Sequence, residues 1–184
     1  RNDCWNSIWV KIRPNGRILS SITWWKRMNN DEREERIALF AGSFDPFTIG
    51  HNDIVERTLK LFDKVVIAIG VNGTKKPMFS AQVRYRQISS YYKEDPRIEV
   101  VTYSGLTADL VAQYKASALV RGIRSGVDYE YERTLADINH QLSGVDTVLL
   151  FTKQNLSHIS SGSIRELISY GHDVTAMLPP GFEL

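Results

Sequence analysis

From Arg36 onward, short apolar runs and helix-period segments take turns along the chain. Runs suited to strands buried on both faces occupy Ile37–Ala41, Val65–Gly70, Ile98–Tyr103, Ala118–Arg121 and Val148–Thr152. Helical patterns are predicted over 52–62, 80–93, 107–115, 127–142 and 162–170. Ser80 and Asp109 suit capping or first-turn positions, and Gly171 is placed to end the last helix. The alternation predicts an α/β fold: a single Rossmann-like, doubly wound domain over 36–184, with a five-stranded parallel sheet and helices on both faces. The chain shows no internal repeat, low-complexity stretch or second core.

In such sheets ligands bind beyond the carboxyl ends of the strands, where the strand order reverses. The chemistry-bearing residues fall there. The first run leads into Gly42–His51, Gly-Ser-Phe-Asp-Pro-Phe-Thr-Ile-Gly-His, ahead of a helix. N–H groups at a helix start attract anions, and a histidine beside them adds a hydrogen bond or a charge. The second run is followed by Asn72-Gly73-Thr74-Lys75-Lys76-Pro77, and the fourth continues into Arg121-Gly122-Ile123-Arg124. The fifth precedes Ser157-His158-Ile159-Ser160-Ser161-Gly162-Ser163. Gly-rich turns, hydroxyls, lysines and arginines in neighbouring loops are what a site for several phosphates requires.

Taken singly, each feature has a plainer reading. The Gly, Asp and Pro of the first loop can simply set a turn. Lys75 and Lys76 can be a solvated pair, and Ser160 and Ser161 can simply cap a helix. Asp128, Glu130 and Glu132 suit the acidic first turn of a helix, where they complement its dipole. Tyr129 and Tyr131 read as packing residues, and the side chains of His140, His158 and His172 as structural or surface groups.

Charge and composition alter this picture only at the N-terminus. The chain carries a net charge of +2, yet residues 1–36 hold 8 Lys/Arg against 5 Asp/Glu, and the remainder is slightly acidic. The basicity is no argument for a nucleic-acid-binding body. All four Trp and the single Cys, Cys4, also lie in the first 25 residues. Residues 1–35 read as a leader outside the fold, with no helical or strand period and no apolar core of signal-peptide length. Met28 is a natural start, so 1–27 read as upstream sequence; an ordered extension or an interaction arm are the alternatives. No segment is apolar for long enough to span a membrane. One Cys excludes an internal disulfide framework and fits a reducing, cytoplasmic setting.

Common nucleotide motifs are absent. There is no Gly-x-x-x-x-Gly-Lys-Ser/Thr, and no Gly-x-Gly-x-x-Gly follows the first strand. His51, His140, His158 and His172 are scattered, without metal-ligand spacing.

Gly42–His51 does resemble the Thr/His-x-Gly-His signature of the nucleotidyltransferase superfamily. Arg121-Gly122-Ile123-Arg124, Asp128-Tyr129-Glu130-Tyr131-Glu132 and Ile159-Ser160-Ser161 narrow the likeness. In this order, across residues 36 to 180, they resemble the bacterial phosphopantetheine adenylyltransferases. The resemblance implies AMP transfer from ATP to 4′-phosphopantetheine, giving dephospho-coenzyme A and pyrophosphate, with Mg²⁺ held mainly by the ATP phosphates. It also implies a homo-oligomer, usually a hexamer. A non-catalytic nucleotide- or coenzyme A-binding protein of the same fold would instead bind ATP without turnover.

By the same resemblance, His51 would contact the α-phosphate and stabilise the transition state. Ser43 would meet the phosphates of both substrates, and Phe44 would lie against ATP through its backbone. Lys75 and Arg121 would bind the phosphate of the acceptor, and Thr107 would line its pantetheine arm. Gly122, Ile123, Arg124 and Glu132 would face ATP. Leu156, Ser157, His158, Ile159, Ser160, Ser161 and Gly162 would wrap the nucleotide. The family usually has Ser or Thr where this chain has Gly162.

Overall fold

A parallel sheet has no solvent face, so its strands are apolar along their whole length. In the computed structural model, which describes residues 34–71, 73 and 76–184, the apolar runs form β1 (Ile37–Gly42), β2 (Lys64–Gly70), β3 (Ile98–Tyr103), β4 (Ala118–Ile123) and β5 (Thr147–Phe151). They make one parallel sheet in the order β3-β2-β1-β4-β5. β1 pairs with β2 from Ile37↔Lys64 to Gly42↔Ile69, and with β4 from Ala38↔Ala118 to Phe40↔Val120. The expected α/β class and strand arrangement are those observed. Of the leader, all but Glu34 and Glu35 lies outside the described residues, and so does the reading of 1–27.

Successive side chains along a strand point to opposite faces. Phe40, Ile67 and Val120 therefore pack on one side, against Ile54 of α1 (Ile49–Thr58), Ile88 of α2 (Ala81–Tyr91) and Ile164 of α5 (Ser161–Ser169). Leu39, Val66 and Leu119 pack on the other, against Leu110 and Val111 of α3 (Thr107–Tyr114). α4 (Gly126–Ser143) lies beside α3 on that second face.

The helix ends follow local chemistry. α1 starts at Ile49 rather than at 52, because Thr48 caps it and draws His51 into its first turn. Ser80, Ser125 and Ser160 cap α2, α4 and α5 by accepting from Val83, Asp128 and Ser163 N–H groups. α4 departs from expectation in its exposure: Tyr129 and Tyr131 are 40% and 63% exposed instead of packed.

β1 connects to β2 on one side, while the later chain returns to β4 on its other side. The strand order reverses between β1 and β4, and the crevice opens at their carboxyl ends. Ile67, in the centre of the sheet, is fully buried. Ile67→Ala should cost about 2–5 kcal/mol, read as a lower urea midpoint at an unchanged slope.

Candidate active site

The loop from β1 to α1 forms the floor of the crevice. Its course depends on Gly42, where a Cβ would come within 2.9 Å of the Phe44 ring. Phe44 itself adopts φ 48°, the left-handed region that L side chains rarely occupy. Side chains from other elements hold the loop carbonyls. Arg84 of α2 donates to Ser43 O, Arg165 of α5 to Asp45 O at 2.6 Å, and Ser161 to Pro46 O at 2.8 Å. The Asp45 carboxylate accepts from Met78 N and Phe79 N, each at 2.9 Å.

His51 is fixed by the same cap that starts α1. Thr48 N donates to His51 Nδ1 at 3.0 Å, while His51 N donates to Thr48 Oγ1 at 3.2 Å. A ring nitrogen that accepts carries no proton, so the neutral imidazole bears its proton on Nε2. The ring packs against Phe44 and Phe47, with centroids at 5.1 and 5.4 Å. Burial lowers its pKa to about 4, helped by the positive charges of Arg124 and then Arg121. His51 of the ligand-free protein is thus a neutral hydrogen-bond donor at physiological pH, and the charge allowed for in the sequence reading is not carried there.

A crevice of about 450 Å³ gathers residues from three loops and two helix starts. Ser43, Phe44, Gly50 and His51 come from the first loop and α1, and Arg121, Gly122 and Arg124 from β4 and the loop after it. Ile159, Ser160, Ser161 and Gly162 close it at the start of α5. The first N–H groups of both helices have no intrahelical acceptor, so two positive helix ends share one crevice. Gly122 sits against α1 so closely that a Cβ would lie 3.1 Å from Ile54 Cγ1.

Both arginines from the end of β4 already have partners. Arg121 forks the Glu132 carboxylate through Nε and Nη2 at 2.6 and 2.7 Å, and its Nη1 donates to Ala41 O. Glu132 is buried at 8% exposure, so it reaches the crevice as the counter-charge of Arg121 rather than as a free acceptor. Arg124 is paired more loosely, with Asp128 at 3.0 Å on the exposed rim.

The pair Arg121–Glu132 also borders a second, mainly apolar hollow of about 210 Å³ between α3 and α4. Thr107 lies there with Leu106, Leu135 and Leu142, its hydroxyl 3.1 Å from Tyr103 OH. A larger hollow of about 990 Å³, lined by Lys76, Arg84, Arg86 and Arg165, lies on the other side of the first loop. It shares Ser43 and Arg165 with the crevice but contains neither His51 nor the β4 residues.

The structure does not bring every expected residue to the crevice wall. Ile123 is a core side chain at 2% exposure, and Leu156 packs on the core. Ser157 and His158 are exposed, with Ser157 Oγ turned to Gln154 O at 2.9 Å. The strand-like apolar pattern at Ile123 and the turn over 154–156 account for these placements. Lys75 lies outside the described residues. Conversely, Arg165 was not singled out by sequence. It lines both hollows and has no acidic partner among the described residues. Its position one helical turn beyond the Ser160–Ser161 cap is the signal that could have found it.

Fold and site together define a nucleotidyltransferase of the Rossmann-like type, and comparison with known proteins agrees. Residues 39–167 match the family described as cytidylyltransferase-like. Among curated proteins, a phosphopantetheine adenylyltransferase of Porphyromonas gingivalis is 65% identical over 151 residues, covering 82% of this chain and 99% of that protein. One of Bacteroides fragilis is 48% identical over 149 residues, covering 81% and 99%. Among solved structures, a bifunctional NMN adenylyltransferase/ADP ribose pyrophosphatase of Francisella tularensis superposes with a TM-score of 0.60 at 18% identity, over 78% of this chain and 44% of that one. The chain belongs to the phosphopantetheine adenylyltransferase family, and is an enzyme of coenzyme A biosynthesis.

The electrostatics of His51 can be read directly. Because its folded pKa lies below the unfolded value, the neutral ring's contribution to stability is complete above about pH 6.5. It is lost as pH falls from there towards about 4. In an NMR titration of the ligand-free protein, the His51 ring should change charge near pH 4; a midpoint at 6 or above would contradict the assigned environment.

Proposed function

We propose that this chain transfers AMP from ATP to 4′-phosphopantetheine by positioning and charge stabilisation, with no protein nucleophile. A phosphate oxygen of the acceptor attacks the α-phosphorus of ATP in line. The bond from that phosphorus to the bridging oxygen breaks, and pyrophosphate departs with the electron pair. The products are dephospho-coenzyme A and pyrophosphate. Such transfers need aligned reactants and donors aimed at spread negative charge.

The observation that carries this reading is the fixed, neutral His51 at a crevice shared by two helix starts. In the proposed arrangement ATP fills that crevice, its phosphates over Ser43, the first turn of α1 and the Ser160–Ser161 turn. His51 Nε2–H donates to the α-phosphate, with Nδ1 held by the Thr48 N–H. Arg124 and Arg165 supply cations around the chain of phosphates. The pantetheine arm runs into the apolar hollow beside Thr107, which places its phosphate at Arg121, between hollow and crevice. Lys75 is the second cation proposed for that phosphate, and Lys76 lines the adjoining larger hollow.

Among the described residues, no group of three or more His, Cys, Asp and Glu side chains converges on one point. Asp128 and Glu132 are occupied by arginines. This donor set fits Mg²⁺ held mainly by the ATP phosphates, where the ion would offset charge on the departing pyrophosphate. The exposed apolar side chains along α4, Val127, Tyr131, Ile138 and Leu142, support a homo-oligomer, with the hexamer of the family as the proposed form. No helix among the described residues is long and apolar enough to cross a membrane. We place the enzyme in the cytoplasm, where its substrates are made.

The decisive assay is pyrophosphate release from ATP with alternative acceptors. Release should require 4′-phosphopantetheine; nicotinamide mononucleotide or glycerol phosphate serving instead would move the chain to a sister activity. ATP binding without release would make it a binding protein. His51→Ala should lower turnover on the order of 10²–10³-fold, as loss of a transition-state donor does elsewhere. ATP affinity should change only modestly, so survival of full turnover would remove His51 from the mechanism.

A further inference from the structure

Arg84 stands out because nothing so far requires it. It lies on α2, behind the first loop, and only 3% of it is exposed. Burying a guanidinium is unfavourable unless its donors are satisfied. Here three backbone carbonyls take three of its donors: Phe79 O at 3.0 Å from Nε, and Ser43 O and Gly70 O from Nη1, the latter at 3.4 Å. Asp45 provides the nearby negative charge and is itself engaged by Met78 and Phe79 N–H.

The location of those acceptors is informative. Ser43 O is in the loop leaving β1, and Gly70 is the last residue of β2. One side chain therefore holds two adjacent strand ends, those of β1 and β2. A trans peptide is planar, with its C=O and N–H pointing in opposite directions. Drawing the Ser43 carbonyl back towards α2 turns the Phe44 N–H the other way, towards the crevice that Ser43 and Phe44 line. Phe44 adopts the left-handed region that L side chains rarely occupy, so this peptide needs an external hold to stay turned.

We propose that Arg84 is a positioning residue: by gripping the carbonyls of Ser43 and Gly70 it keeps the Ser43–Phe44 peptide N–H aimed at the nucleotide phosphates. This rests on the nucleotidyl-transfer reading, and wild-type turnover in the pyrophosphate-release assay tests that reading separately. Lysine keeps the charge but presents no fork for two strand ends. Arg84→Lys should therefore keep the fold by circular dichroism and melt within a few degrees of wild type. Its kcat should fall on the order of 10–100-fold, less than the roughly 10²–10³-fold cost of removing such a donor outright because the N–H remains but is less firmly aimed, with a much smaller change in ATP affinity. Arg84→Met, similar in length but uncharged, serves if the lysine variant does not fold.

A second readout is the Phe44 amide in an ¹⁵N–¹H correlation spectrum. It should shift when pyrophosphate is added to wild type, and the response should be lost in Arg84→Lys. Three results would overturn the proposal: no Phe44 response in active wild type, a lysine variant within about twofold of wild-type kcat, or activity restored by a stabilising osmolyte. The last would mark Arg84 as merely structural.

Discussion

Buried carbonyls must find donors, and in this molecule that requirement shapes the site more than any other. The segment between β1 and α1 has no ladder or helix to satisfy it. Its carbonyls at Ser43, Asp45 and Pro46 are taken up by Arg84, Arg165 and Ser161, side chains from two helices far along the chain. Two consequences follow from one arrangement. The helices on that face are tied to the loop as well as to the sheet, and the loop is held in place from behind by its own carbonyls.

Much of this was legible beforehand. Apolar runs such as Val65–Gly70 and Ile98–Tyr103 suited buried strands, and alternation with helices implied parallel pairing. The rule that ligands bind beyond the carboxyl ends of such strands then pointed to one edge, while the reversal between β1 and β4 is visible only in the structure. Gly-His after the first strand and Arg-Gly-Ile-Arg after the fourth pointed to the same edge. What remained hidden was pairing. Neither Arg121 nor Glu132 announces that each is the other's partner, because they stand 11 positions apart across a strand end, a turn and a helix start. Periodicity likewise misjudged Tyr131, whose apolar ring lies on an uncovered helix face.

Charge in the crevice is therefore more restrained than a count of arginines suggests. Glu132 balances Arg121 and Asp128 balances Arg124, while the histidine is neutral. What stays without a carboxylate partner among the described residues is Arg165 and the two helix starts, and helix starts attract anions. Such a site selects by geometry: a ligand must place its oxygens where the donors already point. Gly122 contributes from the opposite wall, since its missing side chain lets β4 lie directly against Ile54.

The bond between Thr48 N–H and His51 Nδ1 leaves the imidazole a single free nitrogen. A ring tethered in this way can lend its proton to an oxygen without surrendering it, and has no second nitrogen with which to collect another. Its protonation state then need not differ at the two ends of the reaction. Microscopic reversibility extends that to pyrophosphorolysis: the synthetic and reverse directions meet the same tautomer, so neither needs a resetting proton transfer between turnovers. A helix cap would thereby spare the histidine a proton exchange with solvent in each turnover.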